Sequence, residues 1–314
     1  MVSATAPGKV ILFGEHAVVY GQPAIAVPVK AVQARATVAP APAGTPFRLL
    51  APDIDGAFSL ADTDEPLIVA ARLLLQEAGL AELAATVTVA SDIPIASGMG
   101  SGAATAAAVI KALALYLDRP ELAEPFVVSG LTFEVERLHH GTPSGIDNTA
   151  VSFARPVYFI RLPEQNKIET FRAAAPFELL IGDTGIASPT RLAVADVRRH
   201  WEADREGFEA LFASCGRIAN AARQAILAGD VAALGPLMRE NHALLQTMTV
   251  SSLELDRLVE AALRAGALGA KLSGGGRGGN MIALVTPASR EAVRAALLAA
   301  GAVRVISTIV GQED

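Results

Sequence analysis

Residues 94–104 read PIASGMGSGAA, a glycine-rich turn that leads into an alanine-rich apolar run at 104–117. The run predicts a helix, and the glycines at 98, 100 and 102 allow the backbone before it to approach a ligand closely. A helix N-terminus offers unpaired N–H donors and the positive end of its dipole to an anion. The stretch therefore indicates either a phosphate-binding loop or a tight strand-to-helix turn packed by alanines.

Two common nucleotide-binding motifs do not fit this stretch. The Walker A motif requires a Lys-Ser or Lys-Thr pair after its last glycine, and none follows here. A dinucleotide-binding fingerprint requires an acidic ribose ligand after the next strand, and no such residue stands at that spacing. If the loop binds phosphate, it belongs to another class of phosphate-binding loop.

Three further segments combine glycine with charged residues. Residues 271–279 read KLSGGGRGG, and the apolar strand predicted directly after them argues for a pinned anion-binding loop over a flexible linker. Residues 6–16 read APGKVILFGEH, which places charges at both ends of a short apolar strand. Residues 134–148 read EVERLHHGTPSGIDN, where a turn precedes an aspartate. Taken singly, each charged side chain in these segments is as consistent with a solvated surface or a turn cap as with a site.

The rest of the chain predicts an α+β fold in two halves. The boundary is expected in the polar, then alanine-rich stretch 163–175, which gives domains 1–172 and 173–314. Strands are predicted at 9–13, 24–28, 32–38, 86–91, 157–162, 177–182, 281–285 and 303–310. Helices are predicted at 66–78, 104–117, 124–138, 231–245, 252–265 and 289–300, with one or two more over 190–227.

The composition excludes several classes of protein. The 314 residues are 52% hydrophobic and 18% charged, which supplies a large core and excludes disorder. The net charge of −6, without a basic stripe, argues against a nucleic-acid partner. Cys215 is the single cysteine, so no intramolecular disulfide forms. The longest uncharged run, 93–110, holds a proline and three glycines and makes a poor membrane span. The sequence predicts a cytoplasmic protein without a membrane partner.

Taken in order, the four segments resemble the motifs of the GHMP kinase superfamily. They supply a lysine motif at the N-terminus, a Pro-x-x-x-Gly-x-Gly-Ser loop and a Gly-x-x-x-Gly-Gly loop near the end. The resemblance spans roughly residues 5–285. Residues 7–21 and 140–148 most resemble the members that transfer the γ-phosphoryl group of ATP to the 5-hydroxyl of mevalonate, in isoprenoid precursor biosynthesis.

The resemblance implies a two-domain GHMP kinase fold. The N-terminal domain would be ribosomal-protein-S5-like and the C-terminal domain ferredoxin-like, with ATP and substrate in the cleft between them. The expected partners are ATP and mevalonate. The oligomeric state stays open, with a homodimer as one alternative.

The resemblance also implies roles for individual residues. Asp147 would accept the proton of the substrate hydroxyl, and Lys9 would stabilise charge on the transferring group. Mg²⁺ would be held by Glu136, 11 residues before Asp147, and by Ser101. The nucleotide-binding residues would be Pro94, Ser97, Gly98, Met99, Gly100, Ser101, Gly102, Ala103 and Ala104. The substrate-binding residues would be Glu15, His16, Ser144, Thr190, Gly274 and Gly275.

Three positions depart from the superfamily pattern. Gly102 stands where a second serine is usual, so either Ser101 replaces that hydroxyl as a metal ligand, or Ser101 only caps the helix and a water completes the metal shell. Thr142 replaces the usual asparagine. Arg277 stands where glycine is usual and is expected either to contact the phosphates or to point to solvent.

Two alternatives compete with a mevalonate substrate. The first is another kinase of the superfamily, acting on phosphomevalonate, homoserine or galactose. A phosphorylated acceptor would call for extra cations, and the acceptor segments offer only His16 and Arg191. The second is a non-catalytic nucleotide-binding protein, which would have no chemical need for Lys9, Glu136 and Asp147 together.

Overall fold

The computed structural model describes residues 1–42, 44–62, 64–94, 97–140, 143–188 and 190–311, without the side chains of His139 and His140. These residues form two compact units that are not consecutive halves of the chain. The first unit contains Met1–Lys9, Val32–Pro94 and Met99–Ala154, and the second contains Val10–Ala31, Ile95–Gly98 and Arg155–Asp314. The division at 172/173 stays a prediction. The substitution at Thr142 lies outside the described residues.

The chain mixes helices and strands in the α+β manner expected from the sequence. The strands are β1 (Val2–Phe13), β2 (Pro23–Pro40), β3 (Arg48–Ala51), β4 (Gly56–Phe58), β5 (Ala85–Ser91), β6 (Val157–Ile160), β7 (Lys167–Thr170), β8 (Phe177–Asp183), β9 (Gly269–Ser273), β10 (Asn280–Val285) and β11 (Arg304–Val310). The helices are α1 (Pro66–Glu77), α2 (Ser101–Tyr116), α3 (Pro125–His140), α4 (Ile146–Phe153), α5 (Thr190–Ala203), α6 (Arg205–Ala228), α7 (Val231–Thr247), α8 (Leu253–Arg264) and α9 (Arg290–Ala299).

The first unit combines part of a sheet with helices α1–α4. The C-terminal part of β2 pairs antiparallel with β5. Strand β3 runs parallel to β5, and β4 pairs antiparallel with β3. Helix α2 packs against α1, α3 and α4. Its small alanine side chains are buried around most of the helix, which lets three helices approach it closely and fixes its N-terminus in place.

The second unit is built on a four-stranded antiparallel sheet in the order β11-β8-β10-β9. Helices α7 and α8 pack on β9, and α9 packs on β8 and β11. An apolar core lies between this sheet and the helices that cover it, including α6, and it contains Leu180, Phe212, Leu258 and Met281. In the same unit the N-terminal part of β2 pairs with β6, which pairs with β7.

Several predicted element bounds need correction. The strands expected at 24–28 and 32–38 are one continuous strand, β2. Helix α2 begins at Ser101 and not at 104. The glycine-rich segment at 270–279 starts inside strand β9, and α5 and α6 are two helices. Strands β3, β4 and β7 and helix α4 were not predicted.

Among the described residues, no helix combines the length and apolar character that a membrane span requires.

Candidate active site

A short helix, α4, carries Asp147 in the first unit. Gly145 precedes it with a φ of 89°, and Ser144 Oγ accepts the N–H of Ile146 at 3.3 Å. Glycine adopts this left-handed conformation without strain, so the chain can turn sharply into the helix. Asp147 then lies in the first turn, where the helix dipole favours a negative charge.

Polar contacts fix helix α4 at both ends. The Nδ2 of Asn148 donates to the carbonyl and to the Oγ of Ser129 on α3, at 2.9 Å in each case. Near the C-terminal end, Lys111 Nζ on α2 donates to the carbonyl of Ser152 at 3.0 Å. These contacts tie the helix of Asp147 to both neighbouring helices. Sequence reasoning did not single out Lys111 or Asn148, although a lysine inside an alanine-rich apolar helix is a signal for a buried partner.

Lys9 and Asp147 form an ion pair within the first unit. Lys9 Nζ lies 3.0 Å from Asp147 Oδ1, and the two side chains are 6% and 31% exposed. The Lys9 N–H donates to the carbonyl of Met99 at 3.0 Å, which ties the lysine strand to the glycine-rich loop. A Cβ placed on Gly100 would lie 3.1 Å from Lys9 Cγ, so a glycine here leaves room for the lysine stem. The loop, the lysine and the aspartate therefore form one cluster.

Glu136 adds a second carboxylate to this cluster. Burial of its carboxyl, with the negative charge of Asp147 nearby, raises the pKa of Glu136 to about 8. The positive charge of Lys9 and the N–H of Asn148 act in the opposite direction. The negative charges of two neighbouring carboxylates repel each other. A cation that binds between the two ionised carboxylates would therefore be stabilised.

The donor set fits a magnesium ion held together with a nucleotide. In the described part of the chain, no three His, Cys, Asp or Glu side chains form a metal cage. Mg²⁺ commonly takes one or two carboxylates and completes its shell with phosphate oxygens and water. Glu136 is buried beside Asp147, and a bound cation would favour its ionised form as a ligand.

The glycine-rich loop makes a sharp entry into α2. Gly98 and Gly100 have φ values of 81° and 73°, and Gly100 is the residue that caps the helix. The alternative that Ser101 caps the helix is therefore wrong, because Ser101 is already the first helical residue. Gly102 is exposed, and a Cβ there would meet no described heavy atom within 4 Å. The side chains of Ala103 and Ala104 are buried in α2, which leaves only their backbone for a ligand.

Part of the same loop belongs to the second unit. The carbonyl of Ser97 accepts a hydrogen bond from Asn280 Nδ2 at 2.6 Å, and Ser97 is buried. Asn280 begins strand β10, directly after the second glycine-rich loop. Sequence reasoning did not predict a contact between these two loops, and neither segment alone carries a signal for it.

His16 lies against the second glycine-rich loop. Its Nε2 is 3.0 Å from the carbonyl of Gly275, and because a carbonyl only accepts, Nε2 carries the proton. Burial lowers the pKa of His16 to about 4, with a further lowering from the charge of Arg277 and a partial offset from the Gly275 bond. His16 is therefore neutral at pH 7 and presents Nδ1 as an acceptor.

Thr190 and Gly275 are also close together in the second unit. A Cβ on Gly275 would lie 2.5 Å from Thr190 Oγ1, so only glycine permits this approach. Thr190 is exposed at the start of α5, and Gly274 and Gly275 are partly exposed. The structure thus gathers His16, Thr190 and Gly275 into one cluster.

Two predicted side chains have partners within the protein. The carboxylate of Glu15 forms a fully buried ion pair with Lys271 on β9, and its contact with substrate stays a prediction. The guanidinium of Arg277 binds Asp196 and the carbonyl of Thr249, so it does not simply point to solvent, and its contact with the phosphates stays a prediction. Lys271 was not predicted as a partner of Glu15.

Models of known families match two parts of the chain. The description "GHMP kinases N terminal domain" matches residues 66–155, and "GHMP kinases C terminal" matches residues 222–303. The first range contains the glycine-rich loop, Glu136 and Asp147, and the second contains the loop at 274–279. The chain therefore belongs to the GHMP kinase family.

Individual relatives narrow the assignment. The chain is 35% identical over 327 residues to the mevalonate kinase of Pyrococcus abyssi, covering 96% of this chain and 93% of that protein. The crystal structure of L. major mevalonate kinase in complex with R-mevalonate has a TM-score of 0.83 and 29% identity, and covers 100% of this chain and 97% of that one. The Methanococcus jannaschii mevalonate kinase structure shares the fold, with a TM-score of 0.85, 23% identity and coverage of 99% and 98%. Within the GHMP kinases, the chain groups with the mevalonate kinases.

Proposed function

We propose that this protein transfers the γ-phosphoryl group of ATP to the 5-hydroxyl of mevalonate and releases 5-phosphomevalonate and ADP. The observation that carries the proposal is the 3.0 Å ion pair between Lys9 and Asp147, beside the carboxylate of Glu136 and against the turn at Gly100. Phosphoryl transfer is catalysed mainly by positioning and charge stabilisation, and this cluster supplies both. Relatives over nearly the full chain are mevalonate kinases.

The geometry of this ion pair supports a role for each of its two residues. Asp147 is the more exposed partner of the pair, so its carboxylate can accept the proton of an incoming hydroxyl. Lys9 keeps its ammonium at that carboxylate, where it stabilises negative charge as the phosphoryl group moves. The backbone N–H groups at the start of α2, with the dipole of that helix, would bind the phosphates.

Mg²⁺ would accompany ATP and be held by Glu136, with Ser101 as a second ligand. When bound, the ion neutralises charge on the β- and γ-phosphates. The raised pKa of Glu136 supports this assignment, because a cation favours the ionised carboxylate that burial and Asp147 disfavour.

Features of the second unit favour an acceptor without a phosphate group. His16 is neutral at pH 7 and offers an acceptor atom to a hydroxyl. The guanidinium of Arg277 is already bound to Asp196 and Thr249. Both features suit a small hydroxy acid better than a phosphorylated one, because a phosphate dianion requires free cations.

The test is ADP release by the purified protein with Mg²⁺-ATP and four separate acceptors: mevalonate, phosphomevalonate, homoserine and galactose. The proposal requires the highest kcat/KM with mevalonate. Lys9→Met serves as the matched control, because it removes the ammonium and keeps most of the stem. Turnover of another acceptor that exceeds turnover of mevalonate would reassign the substrate. If the rate of ADP release is the same in the presence and absence of each acceptor, the protein phosphorylates none of them. That result would favour the alternative of a nucleotide-binding protein without this activity.

A further inference from the structure

Arg277 is the one residue in the run 274–279 that is not glycine, and its backbone is unusual. Its φ is 56°, a left-handed conformation that is strained for a non-glycine residue. The side chain of Arg277 is therefore expected to make stabilising contacts that glycine cannot make.

The guanidinium of Arg277 bridges two elements next to the loop. Nη1 pairs with Asp196 on α5, while Nε and Nη2 both donate to the carbonyl of Thr249 at 3.3 Å. Arg277 and Asp196 are each 27% exposed, so the pair is partly shielded from solvent. The planar guanidinium has the donors to bind both partners at once, which an ammonium lacks.

The backbone around Arg277 is attached to the same surroundings. The Arg277 N–H donates to the carbonyl of Val250 at 2.9 Å, and Ser188 Oγ donates to the carbonyl of Gly276 at 2.8 Å. The Gly279 N–H donates to the carbonyl of Ile186 at 2.7 Å. A run with five glycines loses much conformational entropy when it becomes ordered, and these hydrogen bonds offset part of that cost. These bonds hold it in one conformation.

Arg277 links two of the elements that carry proposed acceptor-binding residues. Asp196 lies on α5, less than two turns after Thr190. Gly275 lies two residues before Arg277 and is in contact with both Thr190 and His16. Fixing Arg277 to Asp196 therefore fixes the spacing between the loop and the start of α5.

We propose that Arg277 is a positioning residue, which locks the 274–279 loop onto α5 and the 249–250 turn and so preorganises the acceptor-binding cluster. The inference rests on the proposed function for its kinetic consequence. Preorganisation lowers the ordering cost of binding, so its loss weakens binding of the acceptor and leaves binding of ATP unchanged. Substitution of a residue that only stabilises the fold would not raise the KM for the acceptor while leaving the KM for ATP unchanged.

The experiment compares Arg277→Gly, Arg277→Lys and Asp196→Asn with the wild type. We expect Arg277→Gly to raise the KM for mevalonate by about tenfold, with the KM for ATP within about twofold. Arg277→Lys should recover only part of this loss, because one ammonium cannot bind both partners. Arg199→Met is the matched control: it removes the other ion-pair partner of Asp196, a 70% exposed side chain, without touching the loop. It should leave both KM values unchanged.

Hydrogen exchange of the peptide that spans 274–279 provides a readout independent of activity. Arg277→Gly should speed exchange in this peptide, and Arg199→Met should not. The inference is overturned if Arg277→Gly keeps both the mevalonate KM and the protection of the loop. If the wild type phosphorylates no mevalonate, the proposed function fails, while the exchange experiment still decides whether Arg277 locks the loop.

Discussion

Two glycines of the phosphate loop should respond differently to the same substitution. Gly100 has a φ of 73° and caps α2, and a Cβ there would lie 3.1 Å from Lys9 Cγ and 3.2 Å from Lys9 Cε. Gly102 lies in the first turn of α2, where a Cβ would meet no described heavy atom within 4 Å. Gly100→Ser and Gly102→Ser therefore form a matched pair two residues apart.

The expected magnitudes follow from these environments. At Gly100, the left-handed backbone should cost serine about 1–2 kcal/mol of unfolding free energy. The lysine stem must also shift by a few tenths of an ångström. That shift disturbs the 3.0 Å contact with Asp147, and kcat should fall by at least about tenfold, since misplacing a reacting group by 1 Å costs about 100-fold. At Gly102, serine should gain about 0.5 kcal/mol of helix propensity and change kcat only slightly.

The assay combines urea unfolding with kcat at saturating ATP and mevalonate for both variants. A Gly100→Ser protein as stable and as active as Gly102→Ser would refute the reasoning. If Gly100→Ser lost stability and kept its kcat, the turn would be structural and its contact with Lys9 irrelevant to the chemistry.

Other predictions concern the remaining site residues. Asp147→Asn should lower kcat by about 10²–10⁴-fold and leave ATP affinity nearly unchanged; a near-native kcat would remove Asp147 from proton transfer. Glu136→Gln should raise the Mg²⁺ concentration needed for half-maximal rate, and a loss indifferent to Mg²⁺ would point to misfolding. Ser101→Ala should cost about 100-fold in kcat if its hydroxyl is a metal ligand and below about fivefold if water takes that place. His16 has a pKa of about 4 in the folded chain and 6.5 in the unfolded chain, so the unfolded state binds more protons between these values. Stability should therefore fall by about 3 kcal/mol as the pH drops from 7 to 4. His16→Gln should flatten this part of the pH profile of urea unfolding, and an unchanged slope would contradict the assignment.

The sequence predicts elements well where local signals are sufficient. Residues 66–78 show apolar side chains at helical spacing, a proline at the first position and a glycine after the end, and α1 follows them closely. The start of α8 is also readable, because Ser252 Oγ caps it by accepting the N–H of Leu255. In both cases the deciding contacts lie within a few residues of each other.

The elements that sequence reasoning missed depend on distant partners. The break predicted between residues 28 and 32 is wrong, because β2 runs on from the segment that pairs with β6 to the segment that pairs with β5. Pro28 has no N–H to donate, and it lies between these two paired segments. Helix α4 follows a Pro-Ser-Gly turn and is held by Ser129 and Lys111 from other helices. Contacts with other helices cannot be predicted from the eight residues of α4 alone.

The residues of the candidate site also fall into those that the sequence predicts and those that depend on distant partners. Motif resemblance selected Lys9, Glu136 and Asp147, and the structure places the first and last 3.0 Å apart. Their roles stay predictions until they are tested. The partner of Glu15 could not be found from the sequence, because Lys271 is 256 residues away and the ion pair exists only after the strands have assembled.

Phosphorus NMR of the reaction product tests the central claim most directly. Purified protein is incubated with Mg²⁺-ATP and mevalonate, and the spectrum is followed as ADP accumulates. We expect a new phosphate monoester resonance, split into a triplet by the two protons of carbon 5, that grows in step with ADP. ADP formed with inorganic phosphate alone, or a monoester without coupling to two equivalent protons, would contradict transfer to the 5-hydroxyl.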